Sequence, residues 1–297
     1  MTSMKISTAQ FFRSNSDALS RGQFEVSSLQ AKLGTGEQLY APSEDSTKAN
    51  LISRLESSLG RQGVYQKNID IAKTRLTSEE TALASITNLI RRAYEIAITG
   101  ANGTMAAEDR AVLGAEVESL REELIEIANT RDVDGHYIFG GNRTETPPYV
   151  ESQNGDVAYV GDFGSLRINV SDNRSIAINT VGHDFLTGAD FSVVRALEQG
   201  LKTNDTTAVT GSVDDLKTFS DQIAVAVGSM GGRFASLTVQ TEVLEDTSLR
   251  IKQLISQNRD LDYSKAITEL SKESLALQAL QASFSKISQL SLFNFLR

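Results

Sequence analysis

The sequence predicts a mainly α chain with a small β-rich insertion. Its helices should form a long antiparallel rod or bundle, with the N- and C-terminal arms paired as a coiled coil. Three observations predict this. Apolar residues recur every seven positions at both ends of the chain and along the flanks of its middle. Alternating apolar and polar stretches, divided by Gly, Asp and Asn, are confined to one central segment. The order seam helix, long helix, β segment, long helix, seam helix mirrors itself about the middle. The simplest arrangement is therefore a hairpin whose two ends meet.

The first arm carries Phe12, Leu19, Val26 and Leu33 at heptad spacing, with Gly22 as its weak point. Gly34-Thr35-Gly36 stops that helix, and Pro42 opens a new element. The glycines do not read as a phosphate loop, because no third glycine, Lys or preceding strand accompanies them.

From about Ser46 to Thr99 runs the longest periodic segment, with Ile69, Leu76, Leu83, Ile90 and Ala97 spaced by sevens. Ala72, Ile86 and Ala93 join them, and no proline interrupts. Such a helix would be ~80 Å long at 1.5 Å per residue. Gly60 and Gly63 are expected to bend or fray its early part. Gly100–Thr104 is a turn, and a helix from about Ala106 to Asn129 follows, carrying Leu113, Val117, Leu120, Leu124 and Ile127. A short turn makes the two helices antiparallel neighbours.

Near Asp132 the composition shifts. Tyr137–Gly141 reads as a strand entering a turn, and Val157–Val160, Leu166–Val170 and Ser175–Asn179 as short strands. Helical spacing resumes at Val193, Val194 and Leu197, then at Val213, Leu216, Phe219 and Ile223. Gly228-Ser229-Met230-Gly231-Gly232-Arg233 reads as an interruption, or as a small-residue patch where helices approach closely. Beyond it Leu244, Ile251, Leu254, Asn258 and Leu261 continue the heptads, with Asn258 placed as a register device.

The last arm, Lys265 to Arg297, starts as a seam of Ile267, Leu270, Leu277 and Phe284. It then becomes apolar on nearly every side through Ile287, Leu290, Leu292, Phe293, Phe295 and Leu296. Burying one Leu or Phe stabilises by roughly 1.5–3 kcal/mol, so this end predicts a partner.

Composition removes several classes of function. The 297 residues carry a net charge of −9, which argues against nucleic acid, since phosphate binding needs a basic face. There is no Cys, so no disulfide, thiolate metal site or cysteine nucleophile exists. No apolar run is long enough for a membrane span, and the polar opening has no apolar leader core. This predicts a cytosolic protein, or one exported without a cleaved leader. His136 and His183 lie near Asp134 and Asp184, but no paired spacing makes them metal ligands. The many acidic residues read as solvated helix faces. We expect no catalytic residue, cofactor or metal.

Five stretches together resemble the bacterial flagellar hook-associated protein 3 family of the hook–filament junction, relatives of flagellin. They are Met4–Thr8, Gly36–Asp45, Asn102–Thr104 with Asp109-Arg110, Ala128–Thr130 with Gly135–Gly141, and Leu290–Leu296. The match departs at Glu44 and Ser46, where the family commonly has Asp and Pro. Ser46 remains able to cap the helix that follows.

The resemblance implies terminal coiled-coil arms at 1–40 and 265–297, unstructured in the free subunit and folded on incorporation. It implies a helical rod domain at 41–136 and 190–264, and a β-rich outer domain at 137–189. It also implies a junction layer whose partners are the preceding hook-associated protein, flagellin and copies of itself in a ring. A cytosolic export chaperone would cover the C-terminal seam. The location would be the extracellular flagellum, reached through the flagellar secretion system without a cleaved signal peptide. The assembly seam would comprise Phe12, Leu19, Val26, Leu33, Leu277, Phe284, Ile287, Leu290, Leu292, Phe293, Phe295 and Leu296. A short flagellin that polymerises by itself is the alternative.

Overall fold

A computed structural model describes the backbone of residues 2–295 and the side chains of Gln10 and of residues 12–286. Leu296 lies outside the described residues, and the side chains of Ile287, Leu290, Leu292, Phe293 and Phe295 lie outside those described. The elements in chain order are α1 (Thr2–Thr35), α2 (Ser46–Gly100), α3 (Ala107–Ala128), β1 (Tyr149–Glu151), β2 (Val157–Tyr159), β3 (Arg167–Ser171), β4 (Arg174–Ala177), α4 (Gly188–Lys202), α5 (Thr206–Arg259) and α6 (Tyr263–Phe295). They form two compact units. One is residues 1–61 with 247–297, and the other is residues 62–246.

The larger unit holds a continuous apolar core. The heptad positions of α2 point into it: Ile69, Leu76, Leu83, Ile90 and Ala97 are all buried. Val117 and Leu124 of α3 join them, with Leu197 and Leu201 of α4 and Leu216, Phe219 and Ile223 of α5. Both short connections at one end are fixed by a single buried side chain, Arg110. Its Nε donates to the Gly100 carbonyl at 2.8 Å and its Nη2 to that of Asn102 at 2.7 Å. Its Nη1 donates to the Asn204 side chain in the α4–α5 turn, where Asn204 sits at φ 61°. One guanidinium thus satisfies two carbonyls at the C-terminal end of α2 and ties that end to the α4–α5 turn through the Asn204 side chain. Helix α4 begins at a cap in which Thr187 donates its backbone N–H and its hydroxyl to Asp190, at 2.6 and 2.7 Å.

The β-rich insertion is two separate antiparallel hairpins, β1–β2 and β3–β4. The strand expected at Tyr137–Gly141 does not form; Tyr137 makes only an isolated bridge to Arg131. The chain turns too soon for a ladder. Gly141 takes φ 67°, and a Cβ on Gly140 would lie 2.2 Å from the Arg143 carbonyl oxygen. The strand that sequence reasoning missed is β1. It follows Pro147-Pro148, so its alternation is too short to register. Its Tyr149 is buried and donates its hydroxyl to the Leu186 carbonyl at 2.8 Å.

Two further expectations are corrected. Gly60 and Gly63 do not fray α2, which is one continuous helix from Ser46 to Gly100. Gly228–Arg233 neither interrupts α5 nor lets its own helices approach. That helix is continuous, and a Cβ on Gly228, Gly231 or Gly232 would meet nothing within 4 Å.

A buried ionic cluster fastens the segment after β4 to two helices. Glu79 of α2 is fully buried and accepts from Arg233 Nη2 of α5 at 3.0 Å and from the Thr180 hydroxyl. Arg233 Nη1 donates to the Asn179 carbonyl at 2.7 Å. Burial pushes the Glu79 carboxyl up from 4.5 to about 7, against the pull of the Arg233 and Arg75 guanidiniums. Because the folded state holds this proton more tightly than the unfolded chain, Glu79 favours folding most at low pH. That contribution is lost as pH rises through about 7. Glu79→Gln should therefore flatten the fall in unfolding free energy between about pH 5 and pH 8, read by urea melts. An identical pH slope in both chains contradicts the assignment.

Candidate assembly site

The two terminal helices pack side by side in the smaller unit, running in opposite directions. Phe12 of α1 meets Phe284 of α6 edge to face, with ring centroids 5.6 Å apart. Further along, a Cβ on Gly22 would lie 3.3 Å from Leu277 Cδ1. Gly22 is therefore a point of close approach between the helices. At the far end the Leu261 N–H donates to the Gly36 carbonyl at 2.9 Å. The α1 partner number rises as the α6 partner number falls, which is antiparallel pairing.

Of the sequence-predicted seam residues with described side chains, Phe12, Phe284 and Leu277 are the ones placed at this contact by the distances above. Phe12, Leu19, Val26, Leu33, Leu277 and Phe284 are all half-buried, and none is fully covered. Among the described side chains, Ser28 is the one buried residue of α1 and Ala266 that of α6. Phe24 and Leu275 remain 66% and 68% exposed. Ile267, expected on the seam, is 53% exposed; the smaller Ala266 beside it takes the buried position. The contrast with the fully buried α2 heptads is physical. Two helices have one face each to offer, and the flanks of both seams stay in contact with water.

A short β-like clasp closes this pair at its base. Glu37 bridges Asp260, and the Gln38 N–H donates to the Arg259 carbonyl at 2.7 Å. The clasp needs Gly36, which takes φ 74°; a Cβ there would also stand 2.8 Å from Tyr263 Oη. Helices on either side are capped by aspartates. Asp45 Oδ1 accepts the Lys48 N–H at 2.9 Å, and Asp262 Oδ1 accepts that of Lys265 at 3.1 Å. The cap of α2 is thus Asp45 and not Ser46, since the acidic side chain one position earlier reaches the first free N–H groups. Lys32 and Glu44 add an ion pair across the turn at 2.8 Å.

Asn258 does not set register. Its Nδ2 donates to the Leu254 carbonyl of its own helix at 2.7 Å, and Leu254 itself is 45% exposed. Ile251 and Ile255 hold the buried side instead.

Asp132, Asp134 and His136 lie within 4.8 Å of one another. Yet Asp132 Oδ1 accepts the backbone N–H groups of Asp134 and His136 at 3.0 and 2.9 Å. Its Oδ2 pairs with Arg75 at 2.8 Å, so a cation is already in place. His183 sits apart from that group, edge-on to Phe163 at 5.0 Å.

Comparison with known proteins agrees with this architecture. The model of the bacterial flagellin N-terminal helical region matches residues 6–144. Flagellar hook-associated protein 3 of Escherichia coli K12 is 26% identical over 98% of this chain and 99% of its own length. The same protein of Salmonella typhimurium is 24% identical over 99% of this chain and 100% of its own. A solved flagellar hook-associated protein from Vibrio parahaemolyticus shares the fold, with a TM-score of 0.69 at 23% identity. It covers 73% of this chain and all of that one.

Gly36→Ala should open the clasp. Strain at positive φ costs about 1–2 kcal/mol, so trypsin should cut after Lys32 and Arg259 several-fold faster. Unchanged cleavage at both sites would show that the clasp does not depend on this glycine.

Proposed function

We propose that this chain, related over its whole length to flagellar hook-associated protein 3, is a structural subunit of the bacterial flagellum that forms the junction layer between the hook-associated ring and the flagellin filament. The observation that carries the reading is the half-buried pairing of α1 and α6. A helix pair whose apolar seams are covered on one side only is a part of a larger core. Copies stacked around an axis complete that core, each supplying the cover its neighbour lacks.

The division of labour follows. Residues 1–40 and 265–297 are the arms that enter the assembled core, and they take this paired form on incorporation. Residues 41–136 and 190–264 are the helical rod domain, and 137–189 the β-rich outer domain. The partners are the preceding hook-associated protein below, flagellin above and copies of the chain in a ring. Before export a cytosolic chaperone covers the C-terminal seam, whose density of Leu and Phe is an aggregation hazard in solution. Export proceeds through the flagellar secretion system without a cleaved signal peptide, and the assembled subunit is extracellular. The function is connective, with no catalytic step assigned.

The test is addition of purified chain to isolated hooks, with and without the preceding hook-associated protein, followed by electron microscopy. A short, self-limiting layer only on hooks that carry that protein is expected. Long filaments grown without hooks would make the chain a flagellin instead. Within the same assay, Leu277→Asp with Phe284→Asp should abolish addition. A buried charge without a partner costs several kcal/mol at each site. The residues 62–246 unit should keep its melting transition. Undiminished addition would remove the seam from the mechanism.

A further inference from the structure

The last turns of α5, which lie in the smaller unit, are basic in an acidic chain. From Thr247 to Arg259 there are three cations and no carboxylate, while the whole chain carries −9. Arg259 is answered within the chain, by Glu56 at 3.1 Å. Arg250 and Lys252 are exposed, and among the described residues no carboxylate pairs with either. Two leucines stand in water beside them, Leu249 at 56% exposure and Leu254 at 45%. Arg250 and Leu254 are one turn apart on the same side, and Lys252 flanks them. Ile251 and Ile255 supply the buried side of this helix, so the basic and apolar face is left over.

The larger unit holds a surface of the complementary kind. A groove of about 360 Å³ lies between α2 and the turn that follows α3. Its rim is apolar and wet, with Ile71 57% exposed and Val133 83%. Of its three carboxylates, Asp132 is already neutralised by Arg75 at 2.8 Å. Asp70 and Asp134 are exposed, and among the described residues neither has a cationic partner. The groove thus presents two uncompensated negative charges beside two exposed apolar side chains. The α5 face presents two positive charges beside two exposed leucines.

Charge says which surfaces meet. Two grooves set against each other oppose carboxylates, and two α5 faces oppose cations. Groove against face brings opposite charges together, while Ile71 and Val133 leave water with Leu249 and Leu254. The two surfaces differ, so the contact is head to tail. It passes from copy to copy and is satisfied in every copy only when the copies close a ring. A groove of this size takes side chains and not a whole helix, so the contact falls short of the ~800 Å² per partner of a stable interface. It acts between copies already held side by side and does not hold a dimer in solution.

We propose that the α5 face of Arg250 and Leu254, flanked by Lys252, docks into the groove of Asp70 and Asp134 on a second copy of the chain within the same assembled layer. The proposal rests on the assembly reading above and names the two surfaces by which neighbours touch.

The experiment compares four full-length chains for melting and for addition to isolated hooks. They are the unaltered chain, Asp70→Lys/Asp134→Lys, Arg250→Glu/Lys252→Glu, and the chain with all four changes. All should melt within about 3 °C of one another, as exposed changes do. Each double variant should add about tenfold more slowly or worse, because groove and face then carry the same sign. The fourfold variant reverses both surfaces and should recover most of the unaltered rate. Addition of either double variant at the unaltered rate overturns the proposal. So does a fourfold variant no faster than the double variants, which would put a basic segment of a different protein in the groove. If the unaltered chain itself does not add to hooks, the assembly reading fails and these two surfaces lose their role with it.

Discussion

Two α-helices packed against each other can hide only one face of each, and this constraint governs the terminal unit. The α1–α6 pair has aromatic contact at Phe12–Phe284, close approach at Gly22–Leu277 and a clasp at Gly36–Leu261. All of this fixes register and direction. None of it removes the flanks of the seam from water. Phe12, Leu19, Val26 and Leu33 are spaced as regularly as Ile69, Leu76, Leu83 and Ile90, yet the first four are half-buried and the second four are buried. The difference lies in the number of neighbours that each helix has, not in the sequences of the helices themselves.

The larger unit shows what completion looks like. Its α2 heptads meet α3, α4 and α5, and the remaining polar groups are tied down by a few guanidiniums. Arg110 holds two turns, and Arg121 of α3 reaches Glu151 of β1 at 2.6 Å and Glu198 of α4 at 3.2 Å. Arg233 joins α5 to the segment after β4. Charged side chains in these positions define which elements meet more than they stabilise the meeting. Their own desolvation offsets most of the attraction. Glu79 illustrates the cost, with its carboxyl raised to about 7 by burial despite two nearby arginines.

The helices were legible because a period of seven is hard to produce by accident over five repeats. Every named α2 heptad position is buried, and the helix ends fall within a residue or two of the glycine turns. The β-rich insertion was legible as a region but not as pairings. Its strands are three to five residues long, too short for alternation to exclude Tyr137–Gly141 or to reveal Tyr149–Glu151. Asp45 escaped notice as a cap because Ser46 is an equally good candidate by type, and only hydrogen-bond geometry separates adjacent positions. Asn258 misled for a related reason. An amide on a heptad position satisfies itself on its own helix when the position faces water. The seam residues themselves were legible one by one. That Phe12 faces Phe284 was not, since register between distant segments leaves no local trace.

The glycines of α5 extend the same argument from packing to cost. A helix that served only its own unit would gain from Ala at 228 and 232, where space is open and backbone entropy is being lost. The half-buried seam has the same logic, because apolar side chains left in water lower the stability of the isolated subunit. Both features weaken the single chain. In the proposed layer, the compensating stability would lie between chains, in contacts that the isolated fold does not make.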